Sequence, residues 1–219
     1  MKKIIVSLCL IAGISSIATA QNLRLNAYGS YAFNDGIDYY SNPTAYFNGT
    51  VEGGFQWGGG LEYMLQNGTD VGLEFKYLHQ DSKAPFTYYS TVTPPGVKSK
   101  TFDLGINYYM LGGNWYFKLD NAMIEPFAGL AGGVANINAK SGAPTGDGSK
   151  TAFAWEIKGG TNIWVGKKVG IKLQADLLSS VAATGGAYFW SYWGPVYATT
   201  YSSLYQFSLG GGLVFKLGH

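Results

Sequence analysis

The sequence is poor in three things: thiols, charge and long apolar runs. Its one cysteine, Cys9, lies near the N-terminus, so neither disulfides nor thiol chemistry is expected in the rest of the chain. Charged residues make up 13% of the sequence, against about 25% in typical soluble domains. After the first 20 residues, no apolar run reaches the roughly 20 residues that a membrane-spanning helix needs. These three scarcities argue against a disulfide-stabilised domain, an ordinary soluble protein and a helical membrane protein.

The N-terminus has the pattern of a secretory leader. Lys2 and Lys3 precede an apolar stretch over residues 4–17, and Ala18-Thr19-Ala20 supplies small residues for cleavage. We therefore predict a cleaved signal peptide at 1–20 and a single mature domain at 21–219. Loss of the two lysines leaves thirteen of the 15 basic residues against 13 acidic ones. A formally neutral chain argues against a nucleic-acid partner.

The mature sequence is rich in glycine and aromatic residues, which alternate with polar ones in segments of about 10 residues. A two-residue period is typical of strands with two different faces, and such segments are typical of membrane β-barrels. Eight such segments are found. The register of the fifth of them, residues 124–136, stays open. The predicted outward positions are the odd-numbered residues of 23–33, 55–65, 71–77, 153–165, 169–177 and 205–217, and the even-numbered residues of 102–110. We expect a bulge or bend over Gly112-Gly113 to Phe117, and Pro126 near a strand start or bulge.

The connections between these segments alternate in length. Residues 66–69, 118–123 and 166–168 are short, whereas 34–54, 80–100, 137–150 and 178–203 are long. This predicts an all-β fold: an eight-stranded antiparallel up-and-down transmembrane β-barrel, with short periplasmic turns, periplasmic termini and four long irregular outer loops. A soluble lipocalin-like barrel is the alternative. Its outer face would need roughly 25–35% charge, and the polar face here is mostly small residues.

The sequence resembles the small outer-membrane β-barrel family, which includes the OmpA/OmpX-like and opacity-type "porin family" proteins. The resemblance rests on the leader, the alternating strands, the segment Ile124-Glu125-Pro126-Phe127-Ala128-Gly129-Leu130 and the closing segment 209–217. It implies an integral protein of a Gram-negative outer membrane. Its partners would be outer-membrane lipid and lipopolysaccharide, with the barrel-assembly machinery during insertion.

Ten charged residues are assigned to the inward face, five of each sign. They are Arg24, Lys76, Lys158, Lys172 and Lys216, with Glu62, Glu74, Asp103, Glu156 and Asp176. An eight-stranded barrel is just wide enough for its side chains to fill, so we expect a paired charge network that plugs it. The alternative is a narrow porin-like path for ions or small solutes.

The last long connection is unusually aromatic and is a candidate binding surface for a host protein or glycan. Its aromatic residues are Tyr188, Phe189, Trp190, Tyr192, Trp193, Tyr197 and Tyr201. Tyrosine and tryptophan offer large, stiff contact areas. The alternative is that many of them belong to an interfacial aromatic girdle.

The residues that could support catalysis are few. His79, Asp81 and Ser82 form one candidate cluster, which would be needed for a remote alternative function, modification of lipid A. A histidine at a loop edge is more often simply solvated, so we expect no enzyme. Two histidines and no mature cysteine make no metal-ligand set, and no cofactor is expected. The triple glycines 58–60 and 210–212 lie inside strands, where they indicate bending or close packing of the wall.

Overall fold

The computed structural model describes residues 22–42, 45–65, 70–90, 96–120, 123–140, 148–181, 187–191, 194–198 and 203–217. The predicted signal peptide at 1–20 lies outside the described residues. The strands are β1 (Leu23–Ala32), β2 (Asp35–Asn42), β3 (Ala45–Val51), β4 (Gly54–Met64), β5 (Val71–Ser90), β6 (Gly96–Tyr116), β7 (Ile124–Lys140), β8 (Gly148–Trp164), β9 (Val169–Val181), β10 (Ala187–Ser191), β11 (Gly194–Ala198) and β12 (Ser203–Lys216). None of the described residues forms a helix long and apolar enough to cross a membrane.

Eight of these strands close into an antiparallel barrel. The order around the wall is β1-β4-β5-β6-β7-β8-β9-β12, and β12 returns to β1 with Leu25 opposite Phe215 and Tyr31 opposite Leu209. Each of the eight strands overlaps one of the eight segments predicted from the sequence, with bounds that differ by a few residues in most of them. The predicted eight-stranded up-and-down barrel is therefore confirmed. Pro126 is the third residue of β7, close to the strand start as expected.

The two ends of the barrel differ. One end, the turn end, carries the connections 65–70, 117–123 and 165–168 together with the first residue of β1 and the last of β12. At the opposite end, the hairpin end, the wall continues as β structure. There β2 pairs with β3, β3 pairs with β5, and β5 and β6 stay paired as far as Ser90 and Gly96.

The prediction of irregular loops over 34–54 and 80–100 was therefore wrong for most of the described residues. The described residues of 35–51 form a hairpin, and β5 and β6 reach 20 and 21 residues. Parts of 137–150 and 178–203 are also strands. The physical reason is that backbone groups beyond the apolar part of the wall still need hydrogen-bond partners, and continued strand pairing supplies them. Side-chain hydropathy reveals little of this, because only a few inward side chains of these extensions, such as Val51, Ala84 and Phe86, are apolar and buried.

The faces of the wall are the reverse of those of a soluble barrel. Large apolar side chains stand exposed on the outside, among them Phe55 at 63% and Phe75 at 53%. Polar and charged side chains are buried inside, among them Glu62 at 0% and Lys76 at 1%. This is the arrangement expected when the solvent outside is hydrocarbon.

The assignment of faces for the fourth segment was inverted. On β6, Tyr108 and Met110 are buried inside, whereas Tyr109 is exposed and lies opposite Tyr77 of β5. Residues directly opposite each other in a sheet face the same side, so the neighbouring strand decides the face. Of the predicted bulge or bend at Gly112-Gly113, the bulge is absent, since β5 and β6, and β6 and β7, pair there without a shift in register. Apolar residues occupy both faces of β6, which hides its period in the sequence.

The interior is divided into two layers. Toward the turn end it contains most of the buried charges. Toward the hairpin end it contains a mostly apolar layer, which comprises Val51, Leu78, Ala84, Phe86, Ile106, Tyr108, Met110, Ala135, Ala154, Leu178 and Leu204. The amide side chains of Gln56, Gln80 and Gln206 are buried in the same part of the interior, where the Gln56 amide donates to the Gln80 side-chain oxygen at 2.8 Å. This layer was not predicted from the sequence, because its β6 members had been assigned to the outer face.

Candidate functional site

The charged layer is organised around Glu74 on β5. Its carboxylate accepts hydrogen bonds from the amides of Asn26 at 2.8 Å and Asn114 at 3.1 Å, and from the Tyr28 hydroxyl. The Lys158 ammonium donates to it at 2.6 Å. Inward side chains of several strands thus converge on one buried anion. They supply the ionic and hydrogen-bond partners that a charge in a low-dielectric interior needs.

Two further acids extend this cluster across the barrel. Glu156 pairs with Lys76, and the Lys158 ammonium also lies 3.9 Å from its second oxygen. Glu62 accepts from the Asn114 amide at 2.7 Å and the Tyr116 hydroxyl at 2.6 Å. Lys158 therefore bridges two carboxylates, and the cluster ties β5 to β8 through the centre of the barrel.

Glycines make the room that these long side chains need. A Cβ atom built on Gly60 would overlap the Glu74 carboxylate, and one on Gly72 would overlap that of Glu62. A Cβ atom on Gly129 would lie 2.9 Å from Cε of Lys158. Small residues opposite long charged ones let the narrow interior fill without strain. This gives Gly60, within the predicted triple-glycine segment, a packing role.

A separate ion pair closes the turn end. Arg24 donates to both oxygens of Glu125, at 2.9 and 3.0 Å, and its guanidinium carbon lies 4.7 Å from the centre of the Tyr116 ring. The Lys216 ammonium lies 3.7 Å from the Trp164 ring. Such two-pronged arginine–carboxylate contacts fix orientation as well as charge. Sequence reasoning missed Glu125 because the register of its segment was open.

Four of the predicted charges that face the interior have no oppositely charged atom within 4.0 Å in the described part of the chain: Glu62, Lys172, Asp176 and Lys216. The Lys172 ammonium lies over the rings of Phe127 at 4.7 Å and Tyr28 at 5.6 Å. Asp176 accepts from the Ser208 hydroxyl and, at 2.6 Å, from the Gln174 amide. Cation–π contacts and neutral donors thus replace direct ion pairs at these positions.

Nine of the ten predicted network residues face the interior, and Asp103 does not. Asp103 is exposed on the outer face of β6, opposite Lys83 on one side and Lys140 on the other. Its assignment to the interior was wrong because it followed from the inverted face of that strand. Glu125, which was not among the predicted residues, is a further acid that faces the interior.

A pocket of about 810 Å³ opens on the outer surface of the wall, and we call it the wall pocket. Its lining includes His79, Asp81, Lys83, Asp103, Asn107 and Lys140. His79 Nδ1 lies 2.9 Å from the Asn107 side-chain oxygen, and Nε2 lies 3.3 Å from Asp81.

The candidate catalytic cluster is not assembled in this pocket. The Ser82 hydroxyl donates to the carbonyl oxygen of Glu52, and both ring nitrogens of His79 already lie beside other groups. Ser82 is buried, whereas its strand neighbour Asp81 is exposed, as alternation requires. A serine activated by His79 is therefore not formed here. Within the described residues, no group of three or more His, Asp or Glu side chains could hold a metal ion.

Four of the candidate loop aromatics lie on a short hairpin. In β10 and β11, Tyr188 pairs with Tyr197 and Trp190 with Pro195. The other candidates, Tyr192, Trp193 and Tyr201, lie outside the described residues.

Solved structures of small outer-membrane barrels share this fold. The chain matches Neisserial surface protein A with a TM-score of 0.57 and 11% identity, over 89% of this chain and 97% of that one. It matches the outer membrane protein OprG of Pseudomonas aeruginosa with a TM-score of 0.58 and 12% identity, over 91% and 97%. No protein-family model and no curated protein matches the sequence. The chain thus has the fold of the small eight-stranded outer-membrane β-barrels, as the resemblance in its sequence predicted.

Proposed function

We propose that this protein spans the outer membrane as a closed wall element and acts through its outward hairpins rather than through a pore. The observation that carries the proposal is the filled interior. Across the barrel, the Glu74 cluster occupies one layer, and the apolar layer around Tyr108 and Met110, both almost fully buried, occupies the next. A conducting path needs water and sites that an ion can enter and leave. Two successive filled layers, the second of them mostly apolar, leave no room for water or for such sites.

The exterior supports a membrane position for this wall. Every barrel strand presents large exposed apolar side chains on its outer face. By analogy with bacterial barrels, whose short turns face the periplasm, we place the turn end and both termini there. The β2–β3 and β10–β11 hairpins and the extended β5–β6 pair then project from the cell.

Conductance of the purified protein in planar phospholipid bilayers tests the closed-wall proposal. We expect no stepwise current, because both interior layers would have to rearrange before ions could pass. The double variant Tyr108→Ala/Met110→Ala removes two large side chains from the apolar layer. Its conductance is compared with that of the unaltered protein. Stable, reproducible single-channel currents from the unaltered protein would overturn the proposal in favour of a small-solute channel.

Surface binding through the aromatic connection is tested by replacing residues 188–201 with a Gly/Ser segment of equal length. We expect adhesion of cells bearing the protein to host proteins or glycans to fall at least severalfold, because the stiff aromatic contact area is removed. The matched control replaces residues 141–147, which contain no aromatic residue, in the same way. Equal adhesion by both replacements and the unaltered protein would rule out this surface.

A further inference from the structure

At the hairpin end, β6 continues past the last residue of β7 with which it pairs. Asp103 lies opposite Lys140, and among the described strands only β5 pairs with residues 96–102 of β6. We call the side of this stretch that faces away from β5 the free edge. We propose that the free edge binds an extended, acidic segment of a partner protein by strand addition, so that the segment becomes the next strand of the sheet. The inference rests on the proposed function, since it gives the outward hairpins a kind of partner and a mode of binding.

The register shows which backbone groups point to the free edge. The Phe117 amide, just after β6, donates to the Pro126 carbonyl oxygen of β7. Because β6 pairs with β7 and with β5 without a shift in register, its odd-numbered residues bond toward the β7 side along its whole length. The amide and carbonyl groups of Val97, Ser99 and Thr101 are therefore directed to the free edge, where no described strand receives them.

The connection between β7 and β8 is too short to cover this edge. Residues 141–147 must lead from the end of β7 back to the start of β8. An extended residue spans about 3.3–3.6 Å, so half of this connection reaches about three residues along β6, as far as Lys100. Val97, whose side chain is 62% exposed, and Ser99 lie beyond that reach.

The free edge is held as a strand before a partner arrives. β5 pairs with β6 along the whole stretch, and β3 supports β5 from its other side, with Gly49 opposite Phe86. The hydroxyls of Thr87 and Ser99 are hydrogen-bonded at 3.3 Å, and the rings of Phe86 and Phe102 lie 5.8 Å apart. A strand that is already ordered loses little conformational entropy on binding.

Two lysines give the free edge a preference for an acidic segment. Lys98 and Lys100 share one face of β6, and within the described residues neither has a carboxylate within 4.0 Å. In an added strand, the residues opposite these lysines lie two positions apart and share the same face. These positions are non-hydrogen-bonded pairs, in which opposite side chains are closest, so acidic side chains there would meet both ammonium groups.

The same lysines oppose pairing between two copies of this chain. Two free edges that met in antiparallel order about Ser99 would place Lys98 of each copy opposite Lys100 of the other. Like charges directly opposite each other are destabilising, and lysine on an edge strand is a common barrier to such association. An acidic segment of another protein removes this repulsion, and it is therefore the occupant that the charges favour.

The test uses the full-length protein refolded in phospholipid nanodiscs, with a fluorescent octapeptide of alternating valine and glutamate as the probe. We expect saturable binding, measured by fluorescence anisotropy. Methylation of the valine nitrogens should lower the affinity about tenfold, because these N–H groups lie opposite Val97, Ser99 and Thr101 and donate to the edge. Methylation of the glutamate nitrogens, which point away from β6, is the matched control and should leave the affinity unchanged. Equal affinity for the two methylated peptides would rule out strand addition.

Variants of the protein test the same contacts from the other side. Ser99→Pro removes an amide directed to the free edge but none that bonds to β5, and it should lower the affinity for the probe about tenfold. Ser99→Ala loses the same hydroxyl but keeps the amide, and it should bind as the unaltered protein does. Lys98→Glu/Lys100→Glu should reverse the preference toward a peptide of alternating valine and lysine. Unchanged binding of the valine–glutamate probe by this double variant would contradict the acidic assignment.

Intact cells bearing the protein separate this inference from the proposed function. Binding of the probe both to nanodiscs and to cells would support the free edge and its outward position together. Binding to nanodiscs alone would contradict the outward position of the hairpins and leave the free edge supported. No binding to either, together with an absence of single-channel current, would contradict the free edge alone.

Discussion

Replacing Glu74 with alanine should lower the free energy of unfolding by about 3–5 kcal/mol, the range expected when one member of a buried ion pair is removed. The Lys158 ammonium would lose its 2.6 Å contact and keep only Glu156, at 3.9 Å. The amides of Asn26 and Asn114 would lose an acceptor as well. The change removes charge balance and hydrogen bonds in one step, which is why we expect an effect this large.

Urea unfolding of the refolded protein in phospholipid vesicles measures this effect. Asp120→Ala, which removes an exposed acid at the turn end, is the matched control and should change stability by less than about 0.5 kcal/mol. Glu74→Gln keeps the shape and one acceptor oxygen, and should fall between the two. If Glu74→Ala proved no more destabilising than Asp120→Ala, the Glu74 cluster would not be a stabilising core of the barrel.

Changing Gly212 to alanine should impair closure of the barrel. Gly212 lies on β12 opposite Tyr28 of β1, in the pair of strands that joins the two ends of the chain. A Cβ atom there would overlap the carbonyl oxygen of Ala27, which is backbone and cannot rotate away. We expect a loss of about 3 kcal/mol, the upper part of the range for overpacking, because the strands themselves must separate.

The matched control is Gly159→Ala, where the added Cβ atom would lie 3.7 Å from the Phe127 carbonyl oxygen, an ordinary contact. The fraction of protein that keeps its folded, SDS-resistant mobility after refolding gives the comparison, and urea titration gives the magnitude. A normal folded fraction for Gly212→Ala would show that the β1–β12 junction can widen at low cost. The triple-glycine segment 210–212 would then have no closing role.

Much of the barrel could be predicted because one physical requirement repeats along the chain. Each strand that separates hydrocarbon from a packed interior must alternate, so Phe55, Trp57 and Leu61 identify their own face without any knowledge of neighbouring strands. Nine of the interior charges followed from the same alternation. Alternation gives no answer where both faces are apolar: β6 has Tyr108 inside and Tyr109 outside, and nothing in the local sequence distinguishes them.

The candidate sites depended more heavily on the fold. Glu125 lies in the segment whose register the sequence leaves open, so its pairing with Arg24 became visible only when β1 and β7 faced each other across the barrel. The wall pocket depends on the register that brings Lys83, Asp103 and Lys140 side by side, although the three are far apart in the sequence. Of the neighbours of His79, Asp81 lies on the same strand and could be predicted, whereas Asn107 and Trp57 come from other strands and could not.

By itself, the sequence determined the barrel, the number of its strands and the sign of most of its faces, because period-two hydropathy is a local property that each strand carries alone. Only the tertiary structure decided which charges meet, where the interior becomes apolar, how far the wall extends and where a polar pocket opens on its outer side. These depend on the register between strands. Register is set by contacts such as the close approach of Gly212 to β1 and the bonds that converge on Glu74, which join residues distant in the chain.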